Sequence, residues 1–243
     1  MMLPFTLALS YLKGRPTRTI LTTISIIIGV MMMFGLNGVA PAMVEMLSSS
    51  AETATMANVD LFVTRKDASF FREDYLQNVA GVPGVEAVTG IVVRGVMVPV
   101  DHFTLSDGTD ITTLQVIGVD PALSESDFNM ITAGGRRLAD GRLLQAGDRR
   151  AVVISTAFAE GLGLGLGDSV ELPGASGWQP FEIVGLVNDY GLVLGTQNVF
   201  MPLTAAQDLL NVPGRINTIM GTYAEDSDRQ ALDNAIQQMF GSG

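Results

Sequence analysis

A glycine-rich run near the middle of the chain has the residue types that could bind phosphate. The run Gly161-Leu-Gly-Leu-Gly-Leu-Gly167 offers backbone amides unobstructed by bulky side chains at every second position, as phosphate-binding loops do. It lacks the lysine of the GxxxxGK[ST] motif, and it leads into Asp168 and a predicted strand instead of the helix N-terminus at which phosphate binds. We therefore predict a turn over these residues and no nucleotide site.

The single histidine, His102, limits the catalytic chemistry that the chain can support. A Ser-His-Asp triad would have to use it, yet the sequence contains no G-x-S-x-G nucleophile elbow. One histidine without any cysteine also leaves no obvious metal-ligand cluster. Paired carboxylates for hydrolysis remain open, but no pair stands out, and Asp189 fits a turn. We predict that His102 is a loop residue, that the chain has no catalytic, cofactor or metal site, and that it is not an enzyme.

The only tryptophan, Trp178, lies between Gly177 and Pro180 in a predicted loop. An exposed indole at this position would contact a partner, whereas an inward-facing indole would cap the hydrophobic core. The sequence leaves both roles open.

Short strands and helices alternate along the part of the chain that must position these residues. The spacing between successive strands is too short for regular βαβ units, so we predict the α+β class. The predicted strands cover residues 59–64, 85–100, 112–119, 151–155, 169–172, 181–187, 197–201 and 216–223. The predicted helices cover residues 72–80, 156–162, 204–210 and 227–240.

Composition and charge indicate a membrane protein with an acidic domain. Hydrophobic residues make up 47% of the 243 residues and charged residues only 16%, which is apolar for a soluble protein. Residues 1–18 carry Lys13, Arg15 and Arg18 and no acid, whereas the rest carries 11 basic and 25 acidic side chains, a net charge of −14. Such a charge repels phosphate and excludes non-specific nucleic-acid binding. The absence of cysteine excludes disulfides and thiolate chemistry.

One segment is long and apolar enough to span a bilayer. No charged residue occurs between Arg18 and Glu45, and residues 20–40 are predominantly apolar. Because a helix rises about 1.5 Å per residue, about 20 residues cross a hydrocarbon core of about 30 Å. We therefore predict a transmembrane helix over residues 19–42.

The flanking charges set the predicted orientation. The basic cluster precedes the span and Glu45 and Glu52 follow it, so the N-terminus is predicted to be cytoplasmic and the bulk of the chain extracytoplasmic. Ala40-Pro41-Ala42 resembles a signal-peptidase site, but the apolar stretch is longer than the usual hydrophobic region of about 7–15 residues, which favours an uncleaved anchor. Four apolar residues before the span recur at helical spacing and predict a helix in the cytoplasmic lipid interface: Phe5, Ala8, Leu9 and Leu12.

Several short motifs occur in a recognisable order. They are Arg18-Thr-Ile-Leu-Thr-Thr-Ile-Ser-Ile-Ile-Ile-Gly-Val30, Gln115-Val-Ile-Gly-Val-Asp120, Gly141-Arg-Leu-Leu144, Ala151-Val-Val-Ile-Ser155, Leu162-Gly-Leu-Gly-Leu-Gly-Asp168, Phe181-Glu-Ile-Val-Gly-Leu-Val187, and Val199-Phe-Met-Pro-Leu203 with Ala206-Gln207. Together the motifs resemble MacB-type ABC transporter permeases, a group related to the LolC/LolE and FtsX proteins. They cover most of the chain, and Ser25 stands where that group often has glycine.

The resemblance implies a domain organisation and a set of partners. It implies a cytoplasmic segment 1–18, the span 19–42, an α/β lobe formed by residues 43–123 and 196–240, and an inserted β-rich lobe over residues 124–195. The implied function is to transmit ATPase-driven motion across the membrane for export or release of a substrate. The implied partners are a separate cytoplasmic ABC ATPase, a second permease copy or paralogue, a periplasmic adaptor or substrate protein, and membrane lipid.

The resemblance also implies later spans that this sequence lacks. Such permeases have four spans, three of them after the extracytoplasmic domain, whereas this sequence stops at Gly243. We therefore expect a fragment of a permease or part of a split protein, without the loop that would contact an ATPase. Two other hypotheses stay open: a membrane-anchored extracytoplasmic interaction module without transport activity, and an anchored hydrolase.

Overall fold

Strands dominate the part of the chain that the computed structural model describes, which comprises residues 59–65, 67–123, 129–132, 136–188 and 196–240. Within these residues, no helix combines the length and the apolarity needed to cross a bilayer. The predicted interfacial segment 1–18, the predicted span 19–42 and Asp189 lie outside the described residues.

The described elements follow one another in the order predicted for most of the chain. The strands are β1 (Leu61–Thr64), β2 (Phe71–Arg72), β3 (Val85–Met97), β4 (Thr113–Val119), β5 (Leu138–Gly141), β6 (Ala151–Ser155), β7 (Ser169–Gly174), β8 (Gly177–Val187), β9 (Thr196–Pro202), β10 (Arg215–Ile216) and β11 (Thr218–Tyr223). The helices are α1 (Tyr75–Ala80), α2 (Thr156–Gly161), α3 (Leu203–Leu209) and α4 (Arg229–Phe240), with a 3-10 turn at Pro121–Leu123.

Nine of these strands form one sheet in the order β1-β11-β3-β4-β9-β6-β8-β5, with β7 paired to β8. The pairs β4–β9 and β6–β8 are parallel, and the remaining pairs of this sheet are antiparallel. The short strands β2 and β10 form a separate antiparallel pair. The molecule is therefore a mixed, sheet-dominated α+β fold, which confirms the predicted class.

Alternate residues of the central strands pack into two different cores, as expected for a sheet covered on both faces. Val152 and Ile154 of β6 belong to the larger core, while Ala151 and Val153 belong to the smaller one. All four helices contribute to the larger core, through residues that include Val79, Phe158, Leu209, Leu232 and Ile236. The smaller core is covered by the segment between β4 and β6, through Ile131 and Leu144.

Helix α3 lies unusually close to the sheet because β4 carries a glycine beneath it. A Cβ added to Gly118 would lie 2.5 Å from the Cβ of Ala206, which is fully buried in α3. Any side chain larger than hydrogen at position 118 would have to push the helix away from the strand. This close contact between α3 and β4 keeps the larger core tightly packed over the centre of the sheet.

A buried asparagine interrupts the strand predicted over residues 216–223, which proves to be two strands in different sheets. The side chain of Asn217 donates to the carbonyl of Val93 at 2.7 Å and accepts from its amide at 2.9 Å. The amide side chain thus takes the place of a neighbouring peptide group just where β3 changes from pairing with β11 to pairing with β4. Asn217 is almost fully buried. Its side chain therefore supplies the hydrogen bonds that the Val93 amide and carbonyl would otherwise lack in a site that water cannot reach.

Two further expectations need correction. The helix predicted over residues 72–80 begins only at Tyr75, because Phe71 and Arg72 pair with β10 as a short strand. Strand β5 was not predicted, since all four of its residues are exposed and it shows no apolar alternation.

The segment proposed as an inserted lobe, residues 124–195, contributes β5, β6, β7 and β8. These strands lie together at one end of the large sheet, which continues through the β6–β9 pair into the strands of the flanking segments. The division into two lobes stays a prediction.

Candidate functional site

An exposed aromatic surface lies where the loop between β3 and β4 meets the β7–β8 hairpin. We define this aromatic surface by Val100, His102 and Trp178. The His102 ring stacks on Trp178 with 3.8 Å between ring centroids and 26° between planes. Val100 is 66% exposed and Trp178 is 39% exposed. His102 lies in a loop, as predicted, but Trp178 belongs to strand β8 and not to a loop.

Aromatic contacts continue from this surface into the core. Phe103, which is nearly buried, meets Trp178 edge-on at 6.2 Å and Phe158 edge-on at 5.6 Å between centroids. Phe158 is fully buried beneath them. Trp178 therefore combines both roles considered for it, since one part of the indole packs on the core through Phe103 and another part is exposed.

Backbone contacts hold the loop that carries His102 against α2. The amide of Ser106 donates to the carbonyl of Gly161 at 2.8 Å. Leu105 fills the space above this glycine so closely that a Cβ on Gly161 would lie 2.8 Å from the Cδ2 of Leu105. The position of the aromatic surface is thus set by packing on a helix and not by the loop alone.

The β7–β8 hairpin that carries Trp178 is anchored at its tip. The amide of Ala175 donates to the carbonyl of Leu209, the last residue of α3, at 2.8 Å. Gly174 allows this approach, since a Cβ there would lie 2.5 Å from the Cδ1 of Leu209. Both halves of the aromatic surface are therefore fixed to helices of the same core.

The glycine-rich run forms a turn between α2 and β7, as predicted. Its amides donate within the domain: Gly163 to the carbonyl of Glu160 at 3.0 Å, Gly165 to the carboxylate of Asp168 at 2.8 Å, and Gly167 to the carbonyl of Ile183 at 2.8 Å. These amides are not available to a phosphate, and the Asp168 carboxylate would repel one. In the described part of the chain, no group of three or more acidic and histidine residues could hold a metal ion.

The two segments that carry the aromatic surface also carry carboxylates without cationic partners. The loop between β3 and β4 carries Asp101, Asp107 and Asp110, and the hairpin carries Glu171. None of the four belongs to an ion pair within the described residues. Hydrogen bonds from the backbone amide and the hydroxyl of Thr109 lower the pKa of Asp107 below its ordinary value. The loop and the hairpin that carry the aromatic surface are therefore both negatively charged.

A second arrangement of polar residues ties α4 to the sheet, and we call it the terminal-helix clamp: Asp60, Tyr223, Arg229 and Asp233. The Asp60 carboxylate lies 2.7 Å from the Arg229 guanidinium and accepts from the Tyr223 amide at 3.1 Å. The Tyr223 hydroxyl donates to Asp233 at 2.6 Å. These bonds join the residue before β1, the end of β11 and the first turns of α4.

Burial and the hydrogen bond to Asp233 together raise the pKa of Tyr223 above its ordinary value. At the other end of α4, Phe240 stacks on Tyr75 at 5.5 Å and meets Phe71 edge-on at 5.9 Å. Helix α4 is thus fastened to the domain at both ends, with Leu232 and Ile236 buried between. Sequence reasoning missed the terminal-helix clamp because Asp60 and Tyr223 are 163 positions apart and no motif links them.

Comparison with solved structures finds two similar domains. It is similar to the periplasmic region of MacB from Actinobacillus actinomycetemcomitans, with a TM-score of 0.50 and 16% identity over 74% of this chain and 75% of that one. It also matches the extracellular domain of the noncanonic ABC-type transporter YknZ from Gram-positive bacteria, with a TM-score of 0.48 and 18% identity over 74% and 92% of the two chains. No protein of curated function matches the chain.

A family model matches almost the whole chain. The model describes the MacB-like periplasmic core domain, and the match runs over residues 19–239, from the start of the predicted span into the last turn of α4. This agrees with the family suggested by the ordered motifs. The chain therefore belongs to the MacB-like periplasmic core domain family.

Proposed function

We propose that this chain provides the first span and the extracytoplasmic domain of an ABC transporter permease. The observation that carries the proposal is the family match over residues 19–239, which includes the predicted span together with the sheet domain. The basic residues before the span and the acidic domain after it support a cytoplasmic N-terminus and an extracytoplasmic bulk at the inner membrane.

In this proposal the domain transmits motion and carries out no covalent chemistry. Helix α4 is the last described element, and the terminal-helix clamp joins it both to the residue before β1 and to β11. Helix α4 is also packed at its far end through Phe240. We therefore expect a force applied to α4 to move the sheet together with the helix. The chain has no catalytic role in this account.

The energy for this motion comes from another polypeptide. The sequence has no Walker A motif, and the amides of its glycine-rich run are used within the domain. We propose a separate cytoplasmic ABC ATPase, a second permease copy or paralogue, and a periplasmic adaptor or substrate protein as partners. Residues 1–18 contact membrane lipid in this proposal, and the two-lobe division at residues 124–195 is retained as part of it.

Single-cysteine labelling tests the location on which the proposal depends, because the natural chain has no cysteine. Ser176→Cys lies in the exposed turn of the β7–β8 hairpin, and Ser10→Cys lies in the predicted cytoplasmic segment. In right-side-out membrane vesicles, a membrane-impermeant maleimide should label Ser176→Cys directly and Ser10→Cys only after permeabilisation. Labelling of Ser176→Cys only after permeabilisation would overturn the proposal.

A further inference from the structure

The aromatic surface differs from ordinary exposed apolar residues because it is rigid and contiguous with the core. The His102–Trp178 stack rests on Phe103, and both segments that form it are anchored to helices. An interface that is already ordered loses little conformational entropy on binding, and tryptophan is the residue most enriched at energetic centres of interfaces. The geometry therefore favours recognition of a partner.

Charge indicates what that partner carries. Residues 95–135 include the loop of His102 and contain six acidic residues and no lysine or arginine. Residues 151–214 include the hairpin of Trp178 and likewise contain six acidic residues and no lysine or arginine. Within them, the described segments that carry the aromatic residues, 98–112 and 169–187, contain five acidic residues and no lysine or arginine. An aromatic platform carried on two acidic segments is complementary to a cationic side chain, which stacks on indole through the ring quadrupole.

We propose that the aromatic surface docks a segment of a partner protein in which lysine or arginine alternates with apolar residues. A cationic side chain stacks on the exposed part of Trp178, and an apolar neighbour covers Val100. The proposal goes beyond the transporter assignment, since it needs only this surface and a partner on the same side of the membrane.

Two other occupants fit the surface less well. An anionic membrane surface would be repelled by the unpaired carboxylates of the loop and hairpin. A two-fold dimer through this surface would bring the acidic loop and hairpin of one copy against those of the other. A second copy could instead offer its exposed arginines at positions 137, 149 and 150. Such a contact joins two different patches, so two copies cannot form a closed dimer through it and only a larger ring would satisfy every patch.

The test uses the full chain in detergent, and Trp178 itself is the reporter because it is the only tryptophan. The probe is a synthetic peptide of alternating lysine and leucine, with glutamate in place of lysine as the charge-reversed control. The proposal predicts a saturable change in Trp178 emission with the lysine peptide, weaker binding as salt is raised, and no change with the glutamate peptide. No saturable change, or equal responses to both peptides, would overturn it.

Variants locate the binding site, with affinity measured by the anisotropy of labelled peptide. Trp178→Ala should weaken binding about tenfold or more, and Trp178→Phe should retain part of the affinity. Glu171→Lys, which reverses a charge on the hairpin, should weaken binding about fivefold, whereas Glu86→Lys on β3, outside the two acidic stretches, should leave it unchanged.

Melting curves for each variant separate lost binding from lost folding. Unchanged binding in a folded Trp178→Ala protein would overturn the proposal. Light scattering tests whether a second copy occupies the surface. A wild-type oligomer that Trp178→Ala dissociates would assign the surface to a second copy and would also overturn the proposal. None of these measurements involves an ATPase, so their outcome is independent of the proposed transport function.

Discussion

The aromatic surface and the terminal-helix clamp each have carboxylates on the segments that form them, and they differ in how those charges are satisfied. In the terminal-helix clamp, Asp60 has an arginine and a backbone amide, and Asp233 has the Tyr223 hydroxyl. On the aromatic surface, the carboxylates of the β3–β4 loop and the hairpin have no cationic partner within the described residues. The first arrangement stabilises the fold, and the second leaves charge available for an external partner.

Removing the base of the aromatic surface should have the largest effect on stability. Phe103→Ala deletes a nearly buried ring that contacts Trp178 and Phe158, so we expect a loss of about 3 kcal/mol in the free energy of unfolding. Denaturant unfolding of the full chain in detergent, followed by Trp178 emission, measures the loss. The control Phe62→Ala removes a ring that is 46% exposed and should cost less than about 1 kcal/mol. Equal costs would show that the aromatic surface is not continuous with the core.

Loss of one hydroxyl in the terminal-helix clamp should have a smaller effect. Tyr223→Phe removes the bond to Asp233 while keeping the ring, and we expect a loss of about 1 kcal/mol in the free energy of unfolding. Tyr75→Phe is the matched control, because its ring also packs against α4 but its hydroxyl has no hydrogen-bond partner among the described residues. If both variants lose the same free energy of unfolding, the hydrogen bond between Tyr223 and Asp233 contributes nothing to stability.

The same tyrosine should make stability depend on alkaline pH. Its folded-state pKa is raised above the ordinary 10.0, so the unfolded state releases its proton first as pH rises. The stabilisation from the neutral hydroxyl is complete below pH 10 and is lost above it, at a limiting slope of about 1.4 kcal/mol per pH unit. The free energy of unfolding, measured between pH 9 and 11, should therefore fall more steeply with pH for wild type than for Tyr223→Phe. Parallel curves would contradict the assigned shift.

The smallest effect on stability should come from the exposed face of the aromatic surface. His102→Ala removes one stacked ring and should cost about 0.5 kcal/mol, while His102→Phe should restore most of it. Trp178 emission should nevertheless shift clearly in His102→Ala, since the indole loses its stacking partner. An unchanged emission spectrum would show that the stack does not persist in solution.

The parts of this fold that were predictable carry their signal in local apolar patterns. Strand β6 is a short buried run, and α4 places Leu232 and Ile236 on one face, so both were predicted close to their observed bounds. The family was also predictable, because its motifs occur in order along the chain, and the match over residues 19–239 confirms it.

The parts that were not predictable depend on contacts between distant residues. Asn217 ends a strand because its amide bonds to Val93, which lies 124 positions away. The His102–Trp178 stack was not predicted, because nothing in the sequence indicates that the loop of His102 and the hairpin of Trp178 meet. Tertiary pairing also placed Arg72, the first residue of a predicted helix, in a short strand together with Phe71.

The most direct test of the proposed transmission is a distance measurement in the proposed assembly of two permease copies with a cytoplasmic ABC ATPase. Spin labels are attached through Ala235→Cys, on the exposed side of α4, and through Ser176→Cys at the hairpin turn. The account predicts that the Ala235–Ser176 distance within one copy stays constant, while the distance between the Ala235 labels of two copies changes when ATP is added. A distance between copies that is the same with and without ATP would contradict it.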